Sequence, residues 1–518
     1  MNRDESHNDV SESSPLLRDR LEVAIQEKRL FWQKHWIKLL LCAFSFIMML
    51  GDNLQPAALT QILETVICDD YYRVHPLPTG PSAQHCKIQP VQKELALVRG
   101  FQQLVPLFPG LLCTVPYGLL ADRIGRKRVL VLTGAGLLAA LSWTMAVCYW
   151  RIVSIRWVLL SGAFLFVGGG DAVLSSIVHI MVTETTAPGE WAQVFLYLHA
   201  ADVISGFFGP AISAPLMEKG HPWAVLMLAA VVLFSGTFLL TRFIPESLHL
   251  KKQDLSPGNT HLGPGSPEAL PQDTLLGHTR SSTYPNAITA KFAKHLPRRV
   301  ARVLTPFLNV LTSNRQAILL LVLFAPQTAA RELFTVIGLQ YSSAKFSLSY
   351  ARGNVLLSIF QGAQGLFVLV LLPLITRTIA EPRGWTAWAR DRRYAIASMA
   401  VTACGLMTIG IAPVLWVEAA GLLFVALGSC STGLLMSLLG GAVQPHEVST
   451  VYGLALGASM VTRSVTGPVV SVLLVEGFEL GWNWMGLPFA TIALLMAGVT
   501  FASGFIRSEK VEEDEYQE

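Results

Sequence analysis

Apolar residues lie in twelve long runs along the chain, each about as long as, or longer than, the roughly 20 residues that an α-helix needs to cross a bilayer. Six runs precede a long polar stretch and six follow it. The runs cover residues 36–66, 95–121, 129–149, 157–182, 194–217 and 225–243, then 317–341, 355–379, 394–411, 415–441, 452–475 and 485–506. The pattern predicts an all-α polytopic membrane protein with twelve transmembrane helices in two six-helix, pseudo-symmetric halves.

The same pattern divides the chain into five regions. They are a polar tail at 1–35, a first half at 36–244, a central loop at 245–314, a second half at 315–506 and a polar tail at 507–518. A Gly-Pro dipeptide begins at Gly209 in the fifth run and again at Gly467 in the eleventh, which supports an internal duplication. No short apolar core with a small-residue cleavage site precedes the first run, so we expect an uncleaved first span.

The charged residues agree with this arrangement. They make up 14% of the chain, where about 25% is usual in soluble proteins. A net charge of +4 is too mild to indicate a nucleic-acid partner, and the basic residues gather at the ends of the runs. If the N-terminus is cytoplasmic, the basic cluster at 123–128 and the central loop lie inside, as the positive-inside rule requires. We therefore expect both termini in the cytosol.

Seven cysteines are present, but they form no C-x-x-C pair and no cluster with histidine, so we expect neither a metal site nor a cofactor. Five of them lie in apolar runs. Cys68 and Cys86 differ because they bracket a polar, Pro-rich segment that the topology places outside the cytosol, where a disulfide persists. We expect a bridge between them; two unpaired loop thiols are the alternative.

The turn between the second and third spans, residues 118–127, reads G-L-L-A-D-R-I-G-R-K. It resembles the signature loop of the major facilitator superfamily, G-x-L-A-D-R-x-G-R-K, at every defining position. The resemblance implies a transporter of small molecules. Gly118 is expected to let helices approach closely, and Gly125 permits a sharp reversal. Asp122 can pair with Arg126 or with the positive end of another helix.

We assign five residues of this turn to a cytoplasmic gate: Gly118, Asp122, Arg123, Gly125 and Arg126. The alternative, that the basic residues only enforce topology, is preferred for Lys127 and Arg128.

The fifth span carries Gly206, Gly209 and Pro210, which resemble the core of the Gly-Pro motif found in exporters of this superfamily. Ser213 and Ala214 replace the glycine pair that usually follows. The fourth span also lacks the arginine typical of drug antiporters, so an arginine-based proton mechanism is not carried over. The segment that contains Cys68 and Cys86, together with this motif, is similar to fungal members associated with export of secondary metabolites.

Ionisable side chains inside spans are costly and are therefore candidate functional groups. In the resembled family, spans one, four, seven and ten line the cavity. The candidates for binding substrate or protons are Asp52, Gln55, Asp171, Arg331, Glu332 and Glu418. A carboxylate can load a proton on one side of the membrane and release it on the other as its solvation changes, which makes proton coupling the expectation.

Five of these six candidates have a structural alternative. Asp52 and Gln55 can satisfy backbone groups that Pro56 frees inside the membrane. Asp171 can be the buried partner of a helix-end group, and a structural salt bridge to another span is slightly favoured for Arg331 and Glu332.

These features predict a secondary active transporter that couples a proton gradient to efflux of small organic molecules such as drugs or secondary metabolites. Proton-coupled uptake of a nutrient or organic anion is the first alternative, and a transporter-like sensor is the second. The sequence has no P-loop and no convergent nucleophile or metal cluster, so neither ATP-driven transport nor an enzyme is expected. A monomer in the lipid bilayer suffices, because one chain supplies both halves.

Two segments bear on the location. Residues 12–17 read E-S-S-P-L-L, an acidic dileucine pattern that would direct the chain to a vacuolar or endosomal membrane, although the plasma membrane is preferred. Residues 288–303 alternate basic and apolar positions as an amphipathic helix on an anionic membrane surface does; a solvated basic loop is the alternative.

Overall fold

The computed structural model describes residues 36–76, 85–186, 191–246, 314–443 and 448–506. Within these ranges the chain is helical and has no β-strand. The two tails, almost all of the central loop, the dileucine pattern and the amphipathic segment at 288–303 lie outside the described residues.

Eleven helices in the described ranges are long and apolar enough to cross a membrane. In chain order, with α4 left for the next paragraph, they are α1 Trp36–Val74, α2 Gln89–Ile124, α3 Arg126–Trp150, α5 Leu196–Glu218, α6 Pro222–Phe243, α7 Arg315–Phe346, α8 Tyr350–Ala380, α9 Ala387–Ile411, α10 Leu415–Gly441, α11 Val451–Leu480 and α12 Trp482–Ser503. The predicted all-α polytopic fold is confirmed, and the count of twelve spans stays a prediction.

The fourth predicted span, α4, is interrupted and consists of two shorter helices, Ile155–Phe164 and Gly170–Thr185. Gly168, Gly169 and Gly170 have φ angles of +91°, +82° and +65°, which side-chain-bearing residues rarely adopt. The break also brings α4 against α3, where the hydroxyl of Thr133 donates to the carbonyl of Gly168 at 2.9 Å. The apolar run was therefore long enough for one span, but its glycines divide it.

The helices α1 and α2 extend beyond their apolar runs at the end where they are joined. α1 continues to Val74 and α2 already begins at Gln89, so polar residues form the last turns of one and the first turns of the other. A disulfide links Cys68 of α1 to Cys86, just before α2. We call this end of the bundle the disulfide side and the opposite end, with the turn at 118–128, the signature side.

The first six spans pack against the last six mainly near the disulfide side, where α2 contacts α11 and α5 contacts α8. Gly467 of α11 lies so close to α2 that a Cβ there would be 2.7 Å from the Gly100 carbonyl oxygen. Gly206 of α5 faces Gln361 of α8. The glycines thus permit close helix contact between the two sets of spans.

Among the residues that the structure describes, the signature side is open between the two sets of spans. Gly118 of α2, Gly433 of α10 and Gly457 of α11 all lie toward this side, and a Cβ at any of them would have no described heavy atom within 4 Å. The close approach expected at Gly118 is not made in this conformation, because the helix surface there faces open space. In the described part of the chain, the bundle is closed at the disulfide side and open at the signature side.

Candidate functional site

Four carboxylates from four spans lie near one arginine inside the bundle. They are Asp52 of α1, Asp171 of α4, Asp202 of α5 and Glu332 of α7, and the arginine is Arg463 of α11. Arg463 lies within electrostatic range of all four, and its Nη2 is 3.6 Å from Oε1 of Glu332. The shared position of these side chains creates a charged centre between the two sets of spans, which we call the central cluster.

The central cluster is in contact with solvent although its residues lie well within their spans. The side chain of Arg463 is 55% exposed and that of Glu332 is 32% exposed; Asp52 and Asp171 are exposed as well. Charges from different spans that interact with one another must face a common space. Because the disulfide side is closed, that space opens toward the signature side.

Pro56 explains how α1 presents Asp52. The helix is interrupted by a turn at Leu54, just before this proline. The side chains of Asn53 and Gln55 donate to the carbonyl oxygens of Met49 and Gly51, each at 2.9 Å. Gln55 therefore satisfies the local backbone, whereas the carboxylate of Asp52 is left to the central space.

The break in α4 explains how Asp171 is presented. Asp171 lies in the first turn of the helix Gly170–Thr185, directly after the three left-handed glycines. A carboxylate in a first turn is favoured by the positive end of the helix dipole. Asp171 is thus positioned within the bundle by the start of a helix. The apolar pattern of the sequence does not predict that start.

The structure does not bring Glu418 to the central cluster. Its side chain is fully buried near the disulfide side, accepts a hydrogen bond from the Ser342 hydroxyl, and interacts electrostatically with Lys345. Arg331 lies one residue before Glu332 but lines a separate small cavity in the second half. The predicted candidates therefore divide into three locations.

A polar layer closes the disulfide side, and Lys87 is at its centre. Its Nζ donates to both oxygens of Glu64, at 2.7 and 2.8 Å, and to the hydroxyl of Ser343 on α7, at 2.6 Å. The same ammonium lies 4.5 Å from the ring centroid of Tyr350 on α8. Burial lowers the pKa of Lys87, and the carboxylate of Glu64 opposes that shift. One side chain thus joins α1 to α7 and α8.

Glutamine side chains extend this layer. Gln340 of α7 donates from Nε2 to the carbonyl and side-chain oxygens of Gln92 on α2, at 2.7 and 3.0 Å. Gln89 donates to the carbonyl of Phe478 on α11 at 2.7 Å. These bonds again connect the first six spans to the last six.

The signature turn forms a second polar network on the opposite side. Arg126 is only 4% exposed, and its Nη2 contacts Asp122 at 2.5 Å and Glu184 of α4 at 3.0 Å. Gly125 has φ +105° and leaves room for the carboxylate of Glu246, which accepts the backbone N–H of Arg126 at 2.7 Å. The turn therefore ties α2, α3, α4 and the end of α6 together, within the first half.

The residues of the fifth-span motif pack against α1 and α8. A Cβ on Gly209 would be 2.7 Å from the Cβ of Asn53, and Gly206 and Pro210 are buried.

Arg123 of the signature turn is exposed. Among the described residues, His, Cys, Asp and Glu form no group of three or more suited to a metal ion.

Comparison with known proteins agrees with this architecture. The family model of the Major Facilitator Superfamily matches residues 41–390. The chain belongs to the Major Facilitator Superfamily. Both the signature turn and the bundle described above lie largely within the matched region.

Two fungal members of the superfamily are similar to this transporter over most of their length. MFS-type transporter avaK of Aspergillus versicolor is 26% identical over 460 residues, which cover 88% of this chain and 89% of that protein. MFS efflux pump atnC of Emericella nidulans is 26% identical over 493 residues, 92% of this chain and 88% of that protein.

Among solved structures, a point mutant of the nucleoside transporter NupG superposes with a TM-score of 0.61 at 11% identity. The match covers 91% of this chain and 100% of that chain. It shows that the transporter has the fold of the superfamily.

Several residues of the central cluster and of the polar layer were not among the candidates predicted from the sequence. Arg463 and Asp202 are ionisable and lie within spans, which is a usable signal, but the family pattern favoured spans one, four, seven and ten. Gln92 and Gln340 carry no charge and gave no signal. Asp391, near the start of α9, is 4% exposed and accepts a hydrogen bond from the hydroxyl of Ser437 on α10 at 2.7 Å.

Proposed function

We propose that this transporter is a proton-driven exporter of small organic molecules. The observation that carries the proposal is the central cluster, in which four carboxylates share one arginine in a space open to one side of the bundle. With the arginine and all four carboxylates ionised the site has excess negative charge, which favours binding of protons. The names of the fungal relatives, among them an efflux pump, support export.

The proposed orientation fixes the side of the membrane that the described conformation faces. Basic residues gather on the signature side, so this side is cytoplasmic under the positive-inside rule. The described conformation would then accept cargo from the cytosol. Opening of the Lys87 layer and closure around the signature turn would expose the site to the outside, where protons enter and cargo leaves.

In this cycle the carboxylates alternate between two states. A proton on Asp52 or Asp171 weakens its attraction to Arg463, which frees the arginine to pair more closely with Glu332. Release of cargo outside and of the proton inside would then reset the site. We further propose that a single chain in the plasma membrane performs the whole cycle.

The experiment compares cells depleted of their own exporters that express the intact chain, Asp171→Asn or Arg463→Gln. Intracellular and extracellular small molecules are measured with and without an imposed pH gradient. We expect the intact chain to lower the intracellular level of at least one compound, and each variant or a collapsed gradient to reduce that effect at least tenfold.

Asp69→Asn is the matched control, because Asp69 lies near the disulfide side and pairs with Arg151 outside the central cluster. Its export should equal that of the intact chain. Gradient-dependent accumulation inside the cell would instead establish uptake, and no change for any compound would exclude the proposed transport.

A further inference from the structure

A small polar cavity in the second half is distinct from the central cluster. It lies between α7, α8, α9 and α10, and its polar lining includes Gln327, Arg331, Gln364, Thr402, Ser429 and Ser431. The cavity has a volume of about 10 Å³, about the space that one water-sized atom occupies and far below that of pockets that enclose a whole ligand. It therefore admits a single oxygen atom of a larger molecule.

Hydrogen-bond donors without partners converge on this cavity. Gln327 and Gln364 are 3% and 4% exposed, and Nε2 of each has no hydrogen-bond partner. The hydroxyl of Ser429 is also unpartnered. Native proteins rarely leave buried donors unpaired, so these groups are suited to an acceptor atom that enters the cavity.

The neighbours of Gln327 account for its oxygen but not for its nitrogen. The hydroxyl of Ser431 donates to Oε1 of Gln327 at 2.9 Å. The hydroxyl of Thr402 donates to the carbonyl of Ser398 at 3.0 Å and makes no described hydrogen bond with Gln327. The amide nitrogen remains available to a group that enters the cavity.

Arg331 gives the cavity its charge. The cavity lining contains no carboxylate, and within the described part of the chain no carboxylate oxygen lies within the 4.0 Å of a salt bridge to Arg331. Successive residues of a helix point about 100° apart, so Arg331 lines this cavity while Glu332 pairs with Arg463. Arg331 also lies within electrostatic range of His199 on α5, which belongs to the first six spans.

We infer that this cavity binds an anionic oxygen, a carboxylate or phenolate, of the exported molecule, with Arg331 as the charged partner and Gln327, Gln364 and Ser429 as neutral donors. The cargo is thus an organic acid, whose remaining body lies in the central space. The inference rests on the proposed function, since it names the class of compound that the exporter carries. An arginine with converging amide donors is well matched to a planar carboxylate.

The test uses the purified full-length chain in lipid nanodiscs at pH 7.5 and three probes of one shape: benzoate, benzamide and benzylammonium. Binding is measured by isothermal titration calorimetry. Benzoate should bind at least tenfold more tightly than benzamide, and benzylammonium should not bind at this site.

Two variants change the cavity without changing its size greatly. Gln364→Glu replaces a donor by a carboxylate and should weaken benzoate binding at least tenfold, and Gln364→Met should weaken it severalfold by removing the donor alone. Gln316→Glu is the matched control, because Gln316 lies in the first turn of α7, away from the cavity. It should bind benzoate as the unchanged chain does.

Equal affinities for benzoate and benzamide, or unchanged benzoate binding in Gln364→Glu, would overturn the inference. Inorganic phosphate is titrated as a fourth probe. If phosphate competes with benzoate at equal concentration, the cavity is a site for inorganic anions and the assignment to cargo is wrong.

Transport separates this inference from the proposed function. Efflux of radiolabelled benzoate from proteoliposomes is measured with and without a pH gradient. Benzoate binding that depends on Gln364, with efflux that ignores the gradient, would retain the anion site and reject proton coupling. Gradient-driven export of other compounds without benzoate binding would retain proton-driven export and reject the anion site.

Discussion

Arg126 is a buried residue that forms ion pairs with two carboxylates of different exposure. Its guanidinium is 4% exposed and contacts one buried carboxylate, Glu184, and one exposed carboxylate, Asp122. An ion pair contributes little at an exposed position, but its loss is costly where the remaining partner stays buried. The two pairs of Arg126 should therefore differ greatly in their effect on stability.

We predict that Arg126→Gln lowers the free energy of unfolding by roughly 3–5 kcal/mol, because it removes the cation that contacts the buried carboxylate of Glu184 at 3.0 Å. Asp122→Asn should lower it by less than about 1 kcal/mol, since Asp122 is 41% exposed. The measurement is unfolding of the purified proteins in detergent, followed by tryptophan fluorescence. Equal losses in the two variants would show that Glu184 does not depend on Arg126.

At the scale of elements, two of the glycines of α11 differ in how closely they are packed. Gly467 packs against the backbone of α2, whereas Gly457 faces open space on the signature side. Alanine is intrinsically favoured over glycine in a helix by about 1 kcal/mol. Substitution should therefore separate the effect of packing from that of helix propensity.

Gly457→Ala should leave the unfolding temperature unchanged or raise it slightly, because its Cβ meets no heavy atom within 4 Å. Gly467→Ala should lower it, because its Cβ would lie 2.7 Å from the Gly100 carbonyl oxygen and would separate α11 from α2. Thermal unfolding of both variants tests this comparison. A similar gain in both would mean that α2 and α11 are not in close contact.

The disulfide holds the segment that carries Lys87. Cys86 precedes Lys87 directly and is bonded to Cys68 on α1, so the bridge restrains Lys87 close to Glu64. Without the bridge the segment between the spans gains conformational freedom, and the hydrogen bond from Lys87 to Ser343 becomes harder to maintain.

We predict that the double variant Cys68→Ser, Cys86→Ser opens the disulfide side more often. The reporter is Ser343→Cys, placed in both backgrounds and labelled in intact cells with a membrane-impermeant maleimide. Labelling at position 343 should be severalfold faster without the bridge; the parent chain without the reporter provides the background. An unchanged rate would show that the bridge does not support the closed layer.

At the scale of the whole molecule, transport requires the open signature side to close. Gly118, Gly433 and Gly457 lie on this open side, and glycine permits two helix surfaces to meet at short distance. We infer that these surfaces come together when the disulfide side opens. A larger side chain at position 118 would then disturb the conformation in which the signature side is closed, and leave the described open conformation unchanged.

Gly118→Leu should leave the unfolding temperature unchanged and reduce export at least tenfold, because the added side chain fits the open state and obstructs closure. Gly498→Leu is the control, since Gly498 of α12 also has open space around it and lies on a helix outside the central cluster. Its export should match that of the parent chain. Full export by Gly118→Leu would exclude close helix contact at that position.

Much of the fold and part of the site follow from local sequence. Long apolar runs specify spans because every backbone polar group in a membrane must be bonded internally. The signature turn and the costly charges within spans also stand out without a structure. Helix boundaries were less accurate at the disulfide side, where the polar ends of α1 and α2 depend on contacts with α7 and α11 for stability.

Only the tertiary structure decided which of these groups act together. Arg463 and the four carboxylates come from five spans, and Glu418, a candidate of the same chemical type, is buried near the disulfide side instead. The interrupted α4, the Lys87 layer and the donor-lined cavity around Arg331 also depend on how the helices are rotated and on their relative depth. Hydropathy is a local property and determines neither the rotation of a helix nor its depth. Electrostatic pairing depends on distances between side chains that are remote in sequence.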